Sequence, residues 1–382
     1  MILGAVKPDM ALILKTPLAK RRWENFKANR RAYFSLWVFG ALFIFALFAE
    51  LVANDKPLLV SFRGELHTPA FKFYPETHFG GDFQTAPIYK EIETQCLIKS
   101  GGLEICLDEP DETMAALDAG ATEIDGETVQ AGWMIWPLIP YKYNTINYDV
   151  ARAPSPPDAN HWLGVDDQTR DVLARIIYGF RISTIFALIV VFFSSILGVI
   201  AGAVMGYFGG WVDLILQRIV EIWDGMPMLY VIIILAALFD ITFPLLIFLV
   251  ILFSWTGLTG VVRAEFLRAR NFEYTRAARA MGVSDTKIMF RHLLPNAMVA
   301  TLTFLPFTIT GSIGTLTTLD FLGYGLPPSY PSLGELALQA KNNIQAPHLA
   351  FSAFATFAIM LSLLVYVFEG VRDAFDPRKT FK

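Results

Sequence analysis

Six long apolar runs constrain the fold of this 382-residue chain more than any other feature of its sequence. A helix needs about 20 mostly apolar residues to cross the hydrocarbon core of a bilayer. Runs of that kind predict transmembrane helices at 34–53, 182–207, 214–239, 241–262, 297–319 and 349–368. The third run is the least regular, because its first half contains Arg218, Glu221 and Asp224, which we expect to pair with one another. The sequence therefore predicts an all-α polytopic membrane protein with six transmembrane helices.

The composition excludes a soluble chain and argues against nucleic acid as a partner. Hydrophobic residues make up 54% of the sequence and charged residues only 17%, against about 25% charged in an average globular protein. A soluble core could not bury that much apolar surface, so most of it must face lipid or other helices. No basic stripe of the kind that binds nucleic acid outweighs the apolar residues.

The positions of Lys and Arg predict the orientation of the chain. Eight of these residues precede the first span, seven follow the fourth span within 263–291, and four lie in the tail 372–382. With six spans, these three segments fall on one side of the membrane, which the positive-inside rule makes cytoplasmic. We therefore expect cytoplasmic tails at 1–33 and 372–382, with a short interfacial helix over 18–32.

A long insertion at 54–160 separates the first two spans and is expected on the external, periplasmic side. Between residues 104 and 127 it has nine acidic residues and no Lys or Arg, which suits a non-cytoplasmic location. Alternating apolar and polar residues on both sides of Gly101 and Gly102 predict a β-hairpin, and 125–131 predicts a further turn and strand. We expect a small α/β domain.

Both cysteines of the chain, Cys96 and Cys106, lie in this predicted hairpin at mirrored distances from its glycines. Directly opposed residues of a hairpin have Cβ atoms about 5 Å apart, which is close to what a disulfide requires. An oxidising exterior would favour the bond. We predict a Cys96–Cys106 disulfide; the alternative is two free thiols packed as small apolar side chains.

The segment 272–295, between the fourth and fifth predicted spans, has the most informative spacing. Residues 273–281 favour a helix, and Gly282 suits a left-handed C-cap at its end. Ser284 then favours the start of a second helix that runs toward Pro295. Two short helices with alanines on their surface could receive another protein, and they could equally pack on their own bundle as an ordinary helical hairpin.

The same segment resembles the coupling-loop signature of ATP-binding-cassette (ABC) importer permeases, which reads Glu-Ala-Ala, three residues, Gly, nine residues, Ile-x-Leu-Pro. The residues that match the signature are Ala277, Ala278, Gly282, Leu294 and Pro295. Arg276 stands where the signature has Glu, and His292 stands where it has Ile. His292 followed by Pro295 and Asn296 is similar to the variant of the peptide/nickel subfamily.

Three further stretches resemble the same subfamily. Residues 161–175 are similar to the segment that leads into its second span, although Val165 and Thr169 depart from the usual pattern, and 319–325 and 370–378 are similar to later motifs. The chain is most similar to the second permease subunit of oligopeptide importers. Its enlarged insertion resembles that of the microcin C/oligopeptide branch.

The resemblance implies the type I ABC importer permease fold in a bacterial inner membrane, with a permease core at 161–371 and a coupling loop at 272–295. It implies a second homologous permease subunit, two ABC ATPase subunits or one fused double ATPase, and a periplasmic or lipid-anchored binding protein that delivers a peptide. The insertion would contact that binding protein or the partner permease. ATP and Mg²⁺ would be bound by the ATPases, and this chain would bind no cofactor.

Three glycines in the second predicted span, Gly198, Gly202 and Gly206, recur at every fourth residue. Small residues at this spacing let helix backbones approach closely. We expect a packing role, with the partner permease as one candidate for the facing helix.

Sequence motifs for catalysis are absent. The chain has no phosphate-binding Gly-x-x-x-x-Gly-Lys-Ser/Thr loop and no hydrolytic Ser/His/Asp or Cys/His constellation, and its five His residues lack metal-ligand spacing. We predict a non-catalytic subunit without a metal site. Two alternatives stay open: an ion-coupled secondary transporter that uses Glu221 and Asp224 as a proton relay, and a membrane assembly protein without transport.

Overall fold

The computed structural model describes residues 17–375, which are mostly helical. The helices are α1 (Pro17–Ala28), α2 (Arg30–Leu47), α3 (Ala49–Val52), α4 (Ile92–Ser100), α5 (Ile105–Asp108), α6 (Pro110–Asp118), α7 (Val172–Phe208), α8 (Gly210–Asp224), α9 (Met228–Leu238), α10 (Phe243–Ser254), α11 (Thr256–Ala269), α12 (Glu273–Ala280), α13 (Asp285–Lys287), α14 (Leu294–Phe321), α15 (Leu333–Asn342) and α16 (Pro347–Phe375). The strands are β1 (Leu59–Phe62), β2 (Glu65–His67), β3 (Glu123–Ile124), β4 (Glu127–Thr128) and β5 (Trp133–Ile135). Residues 1–16 and 376–382 of the predicted tails lie outside the described residues.

Five apolar helical segments are long enough to cross a membrane. They are Arg30–Leu47, Val172–Phe208, Phe243–Ala269, Asp285–Phe321 and Pro347–Phe375. Each overlaps one of the predicted spans, and four of the five are longer than the apolar run that predicted them. A polytopic helical membrane protein with small sheets is therefore confirmed as the fold class.

The remaining predicted span, 214–239, is a broken helix. Its two halves, α8 and α9, meet at an angle of 63°, so the count of six spans holds only if this bent pair counts as one. Pro227 lies at the break with an extended backbone, and because it has no N–H it cannot continue the hydrogen-bonding ladder of α8. Arg218 forms an ion pair with Glu221, whereas Asp224 joins no ion pair in the part of the chain that the structure describes.

Asn29 separates the predicted interfacial helix from the first span. The backbone N–H of Ala32 donates to Asn29 Oδ1 at 3.2 Å, so Asn29 caps the start of α2. The helix predicted over 18–32 is therefore two helices, α1 and the first turn of α2. Trp23 and Phe26 of α1 stack with their ring centroids 5.6 Å apart, as expected for aromatic residues that share one helix face.

The described chain divides into two compact units. The first, here called the span unit, comprises residues up to 43, 182–328 and from 354 onward. The second, here called the insertion unit, comprises 44–181 and 329–353, and so includes more of the chain than the predicted insertion.

The glycine stripe of α7 packs within the span unit against α11. A Cβ atom added to Gly198, Gly202 or Gly206 would lie 2.5 Å from a backbone oxygen of α11 or of Trp255, which directly precedes it. Such a distance is far inside van der Waals contact, so only glycine permits this helix approach. The packing role is as expected, but the facing helix belongs to this chain and not to a partner.

A three-stranded antiparallel sheet lies in the insertion unit with the strand order β2-β1-β5. Alternate residues of β1, Val60 and Phe62, point into a core that also buries Phe79, Tyr89 and Ile98. The turn predicted near 125–131 lies at 125–126, where Asp125 and Gly126 both have positive φ and join β3 to β4. That conformation is typical of two-residue hairpins.

The prediction of a β-hairpin around Gly101 and Gly102 is wrong, because the residues on both sides of the glycines are helical. Helix α4 ends at Ser100, and Gly101 caps it in the left-handed region with φ +86°. The N–H groups of both glycines donate to the carbonyl oxygen of Leu97. This turn leads into the short helix α5 instead of a returning strand.

Cys96 on α4 and Cys106 on α5 form a disulfide with their Cα atoms 5.6 Å apart, and both side chains are fully buried. The bond joins two helices across the turn at Gly101 and Gly102. The predicted pair of cysteines is therefore correct, but the predicted geometry, two opposed strands of a hairpin, is not.

Mass measurement after alkylation tests this bond. Unreduced protein should carry no alkylated thiol, because the bond occupies both sulfurs, and the protein should carry two alkylated thiols after denaturation and reduction. Two alkylated thiols in denatured, unreduced protein would contradict the prediction.

Candidate functional site

Helix α12 buries one face in the span unit and exposes the other. Thr275 and Ala278, three residues apart, are buried, and the Thr275 hydroxyl donates to the carbonyl oxygen of Ala269 at 3.0 Å. Ala278 belongs to an apolar cluster with Phe266, Ile288 and other residues of α7, α11 and α14. The opposite face presents exposed residues, which are Arg276, Ala277, Arg279, Ala280 and Met281. One helix face is therefore anchored while the other is free to meet a partner.

Gly282 ends α12 in a Schellman motif. Its φ is +78°, its N–H donates to the carbonyl oxygen of Arg279, and the N–H of Val283 donates to that of Ala278. This pair of hydrogen bonds satisfies two carbonyls that the helix end would otherwise leave without partners. The predicted left-handed cap is present.

The second short helix of the predicted hairpin does not end at Pro295. From Asp285 the chain is helical through a π-helical turn at Ile288–Leu293 and then along α14, so that the segment continues into the fifth span. Because the helical backbone is continuous from Asp285 into α14, Pro295 has helix on both sides, and its missing N–H and its ring would disrupt a regular α-helix there. The wider π-helical turn before it accommodates the proline. Ser284 occupies the cap position as predicted, but its side chain makes no capping hydrogen bond.

Tyr207 at the end of α7 joins both halves of the 272–295 segment. Its hydroxyl donates to Asp285 of α13, and the Arg279 guanidinium of α12 lies 5.4 Å from the centre of its ring. Because one aromatic side chain contacts the helices on both sides of the Gly282 turn, it restricts their movement relative to each other.

Ion pairs and carbonyl contacts brace the helix that leads into this segment. Arg263 of α11 makes two hydrogen bonds to Asp213 of α8, at 2.5 and 2.7 Å, which is the fork geometry that arginine forms with a carboxylate. Arg270 donates to the carbonyl oxygens of Gly206 and Tyr207 at the end of α7. The segment therefore projects from a rigid base.

Comparisons with known proteins identify the family. A family model described as "Binding-protein-dependent transport system inner membrane component" matches residues 195–381, and one described as "N-terminal TM domain of oligopeptide transport permease C" matches residues 17–69. The Agrobacterium fabrum "Peptidoglycan transport system permease protein YejE" is 50% identical over 96% of this chain and 95% of its own length. The chain belongs to the inner membrane permease family of binding-protein-dependent ABC transporters.

Further relatives place the permease among C-type peptide permeases. The Escherichia coli K12 "Inner membrane ABC transporter permease protein YejE" is 48% identical over 95% of this permease and 98% of its own length. The Bacillus subtilis "Dipeptide transport system permease protein DppC" is 35% identical over 58% of this permease and 70% of its own length. Because the two YejE matches span nearly the whole permease, they include the insertion at 54–160.

The structure separates the signature residues of the permease into three groups. Arg276, Ala277, Gly282 and Pro295 are exposed. Ala278 is buried in the apolar cluster, so it supports the helix and does not form part of the free surface. His292 and Leu294 are half-buried, and His292 contributes its backbone carbonyl to a hydrogen bond from Asn296. The expected alanine-lined surface is therefore only partly correct, because the adjacent alanines point in different directions.

A buried charge network in the insertion unit was not foreseen from the sequence. Arg175 lies 3.2 Å from Asp166 and 2.5 Å from Glu335, and Arg170 lies 2.7 and 3.0 Å from the same two carboxylates. Gln339 donates to both acids. The network connects the N-terminal end of α7 to α15. The motif at 161–175 contains three of these five residues, but no sequence signal marked Glu335 as their partner.

A second polar group adjoins the same motif. His161 Nδ1 lies 2.9 Å from Asp171, and the His161 ring contacts the Tyr141 ring in a tilted arrangement with the centroids 4.4 Å apart. Lys90 places its ammonium 3.2 Å from the centre of the Tyr141 ring, and burial lowers the pKa of Lys90 to about 8. Through these successive contacts, Lys90, Tyr141 and His161 connect the loops of the insertion to Asp171, which directly precedes α7.

Histidines elsewhere in the insertion unit form a pair. The Nε2 atoms of His67 and His78 are 2.7 Å apart, and burial together with the neighbouring His67 lowers the pKa of His78. Within residues 17–375, no group of three or more His, Cys, Asp or Glu residues is arranged to hold a metal ion.

Proposed function

We propose that the permease forms half of the translocation path of an ATP-driven importer of oligopeptides or peptide-like compounds, and that a second homologous permease forms the other half. The names of its relatives support this substrate class, since they specify peptidoglycan, dipeptide and oligopeptide transport. A microcin C-type substrate stays a prediction. A periplasmic or lipid-anchored binding protein would deliver the substrate on the insertion side of the inner membrane.

The exposed face of α12 carries the second part of the proposal, that residues 272–295 dock a cytoplasmic ATPase. A surface that transmits force must be stiff on one side and free on the other. Thr275 and Ala278 hold α12 in the span unit, while Met281 at its end is 76% exposed. Two ATPase subunits, or one fused double ATPase, would bind ATP and Mg²⁺, and this chain would be a non-catalytic subunit.

Replacing Gly282 with Leu should uncouple uptake from ATP hydrolysis. The space around Gly282 is open, with no atom within 4 Å of an added Cβ, so the cost arises from the backbone. A left-handed conformation costs a residue with a side chain about 1 kcal/mol or more relative to glycine. The altered turn should reduce peptide uptake and binding-protein stimulation of ATPase activity several-fold in reconstituted complexes.

Gly282→Asn is the matched control, because Asn adopts the left-handed conformation more readily than Leu. It should retain most of the uptake and of the ATPase stimulation. If Gly282→Leu left both unchanged in a correctly assembled complex, the docking assignment would be wrong.

Copurification distinguishes this proposal from its two alternatives. The permease extracted from its native membrane should bring with it a second permease and ATPase subunits. Uptake that survives loss of every ATPase and collapses with the proton gradient would indicate a secondary transporter. Absence of uptake by the reconstituted subunits would favour an assembly protein.

A further inference from the structure

An apolar groove in the span unit lies between the N-terminal helices and the end of α16. Its volume is about 330 Å³, and its walls include Phe26, Leu36, Val371 and Phe375. Arg22 lies at the groove with its guanidinium 4.1 Å from the centre of the Phe375 ring. A second, polar pocket of about 440 Å³ lies between the start of α2 and α16, where Arg30 and Arg31 face Tyr366 and Glu369.

The two membrane-spanning helices that line the groove, α2 and α16, each change from apolar to charged at this level. On α2 the cations Arg30 and Arg31 precede the apolar residues that begin at Phe34, and on α16 the apolar residues end at Phe368, before Glu369 and Arg372. Because each helix is long and apolar enough to cross the membrane, this transition marks the depth of the lipid headgroups. Of the residues that line the groove, Leu36 and Val367 lie on the apolar side of this transition, whereas Val371, Ala374 and Phe375 lie on its charged side. The groove therefore lies at headgroup depth, with one end at the edge of the hydrocarbon.

The N-terminal helices beside the groove are basic. Six cations lie between residues 20 and 31 against one acid, Glu24, and of these cations Arg22 lines the groove, while the end of α16 adds Arg372 together with Glu369 and Asp373. Within residues 17–375, none of these six cations forms an ion pair; those that make a ring contact are Arg22, over Phe375, and Lys27, over Trp23. Basic pockets beside transmembrane helices bind anionic lipid headgroups.

We infer that this groove binds an anionic phospholipid, with an acyl chain against the apolar walls and the phosphate near Arg22, the cation that lines the groove. The charge of the chain's own terminal segments disfavours them as occupants. Residues 1–16 contain two Lys and one Asp, and 376–382 contain three cations and one Asp, so both segments are basic like the rim. An anionic lipid complements the rim, and it is present at the depth that the groove occupies.

Lipid retention tests this site in the complete transporter. The complex is reconstituted in nanodiscs of phosphatidylethanolamine and phosphatidylglycerol, extracted into detergent, and analysed for retained lipid by native mass spectrometry. Arg22→Ala should reduce retained phosphatidylglycerol about fivefold, the contribution of one basic residue near an anionic bilayer surface. Val371→Trp should reduce it as much by filling the groove while leaving every charge in place.

Arg218→Ala is the control, because it removes an exposed cation from another membrane helix, and it should leave retention unchanged. Equal retention of phosphatidylglycerol and phosphatidylethanolamine by the unaltered complex would overturn the inference. So would undiminished retention in both groove variants. A photocrosslinker at position 371 should label lipid; labelling of residues 1–16 or 376–382 instead would assign the groove to the chain's own termini.

Discussion

Replacing Arg175 with Met should lower the free energy of unfolding of the permease by about 3–5 kcal/mol, the cost of breaking a buried ion pair by removing one partner. The Arg175 side chain is only 1% exposed and contacts both Asp166 and Glu335. Without it, the fully buried Asp166 and the 15% exposed Glu335 share the single cation Arg170. One negative charge then stays uncompensated away from water, and that desolvation dominates the loss.

Arg181→Met is the matched control, since Arg181 lies six residues further along the same helix and pairs with Glu50. The two side chains of that pair are 20% and 40% exposed, so its loss should cost no more than about 1 kcal/mol. Equilibrium unfolding of the purified protein in detergent measures both changes. Equal losses in the two variants would contradict a special role of burial, and Glu335→Gln added to Arg175→Met should recover part of the stability.

Alanine substitutions of two glycines, Gly202 and Gly260, should differ in their effect on stability. Ala favours a helix over Gly by about 0.8–1.0 kcal/mol, so propensity alone predicts stabilisation at both positions. A Cβ at Gly202 would lie 2.5 Å from the backbone oxygen of Thr259 and 2.8 Å from the Cβ of Val262, and α7 and α11 would have to separate. We expect Gly202→Ala to destabilise the permease by about 1–3 kcal/mol, the usual cost of overpacking.

Gly260→Ala provides the comparison, because an added Cβ there meets no atom within 4 Å. It should be neutral or slightly stabilising. Melting temperatures of the two variants in the same detergent provide the measurement. If Gly202→Ala were as stable as Gly260→Ala, the close approach of α7 and α11 would not contribute to stability.

The membrane spans could be predicted because hydropathy is a local property. A run such as 182–207 identifies a spanning helix whatever its neighbours are, since the bilayer supplies the same apolar surroundings along it. The Gly282 cap was predictable for the same reason, because a left-handed helix end depends on one residue and its immediate neighbours. The angle between α8 and α9 could not be predicted in this way, although Pro227 marks the place of the break.

The turn at Gly101 and Gly102 shows where local reasoning failed. Two glycines between apolar stretches suit both a hairpin and a helix C-cap, and the pattern of polar and apolar residues over so few positions did not distinguish them. Packing decided the outcome, since Cys96, Leu97 and Ile98 are consecutive and all fully buried. A strand with one face exposed would have left the middle residue of the three in water.

The sequence by itself determined the class of the permease, the positions of its spans, and the segment at 272–295 as the one that resembles a coupling loop. Each of these depends on composition or on spacing within a few tens of residues. Only the tertiary structure revealed the partner of the glycine stripe, the contacts of Tyr207 on both sides of the Gly282 turn, and the pairing of Arg175 with Glu335 across 160 positions. Such contacts join residues that are far apart in the sequence. They depend on which surfaces meet after folding, and the local propensities of the residues do not specify which surfaces those are.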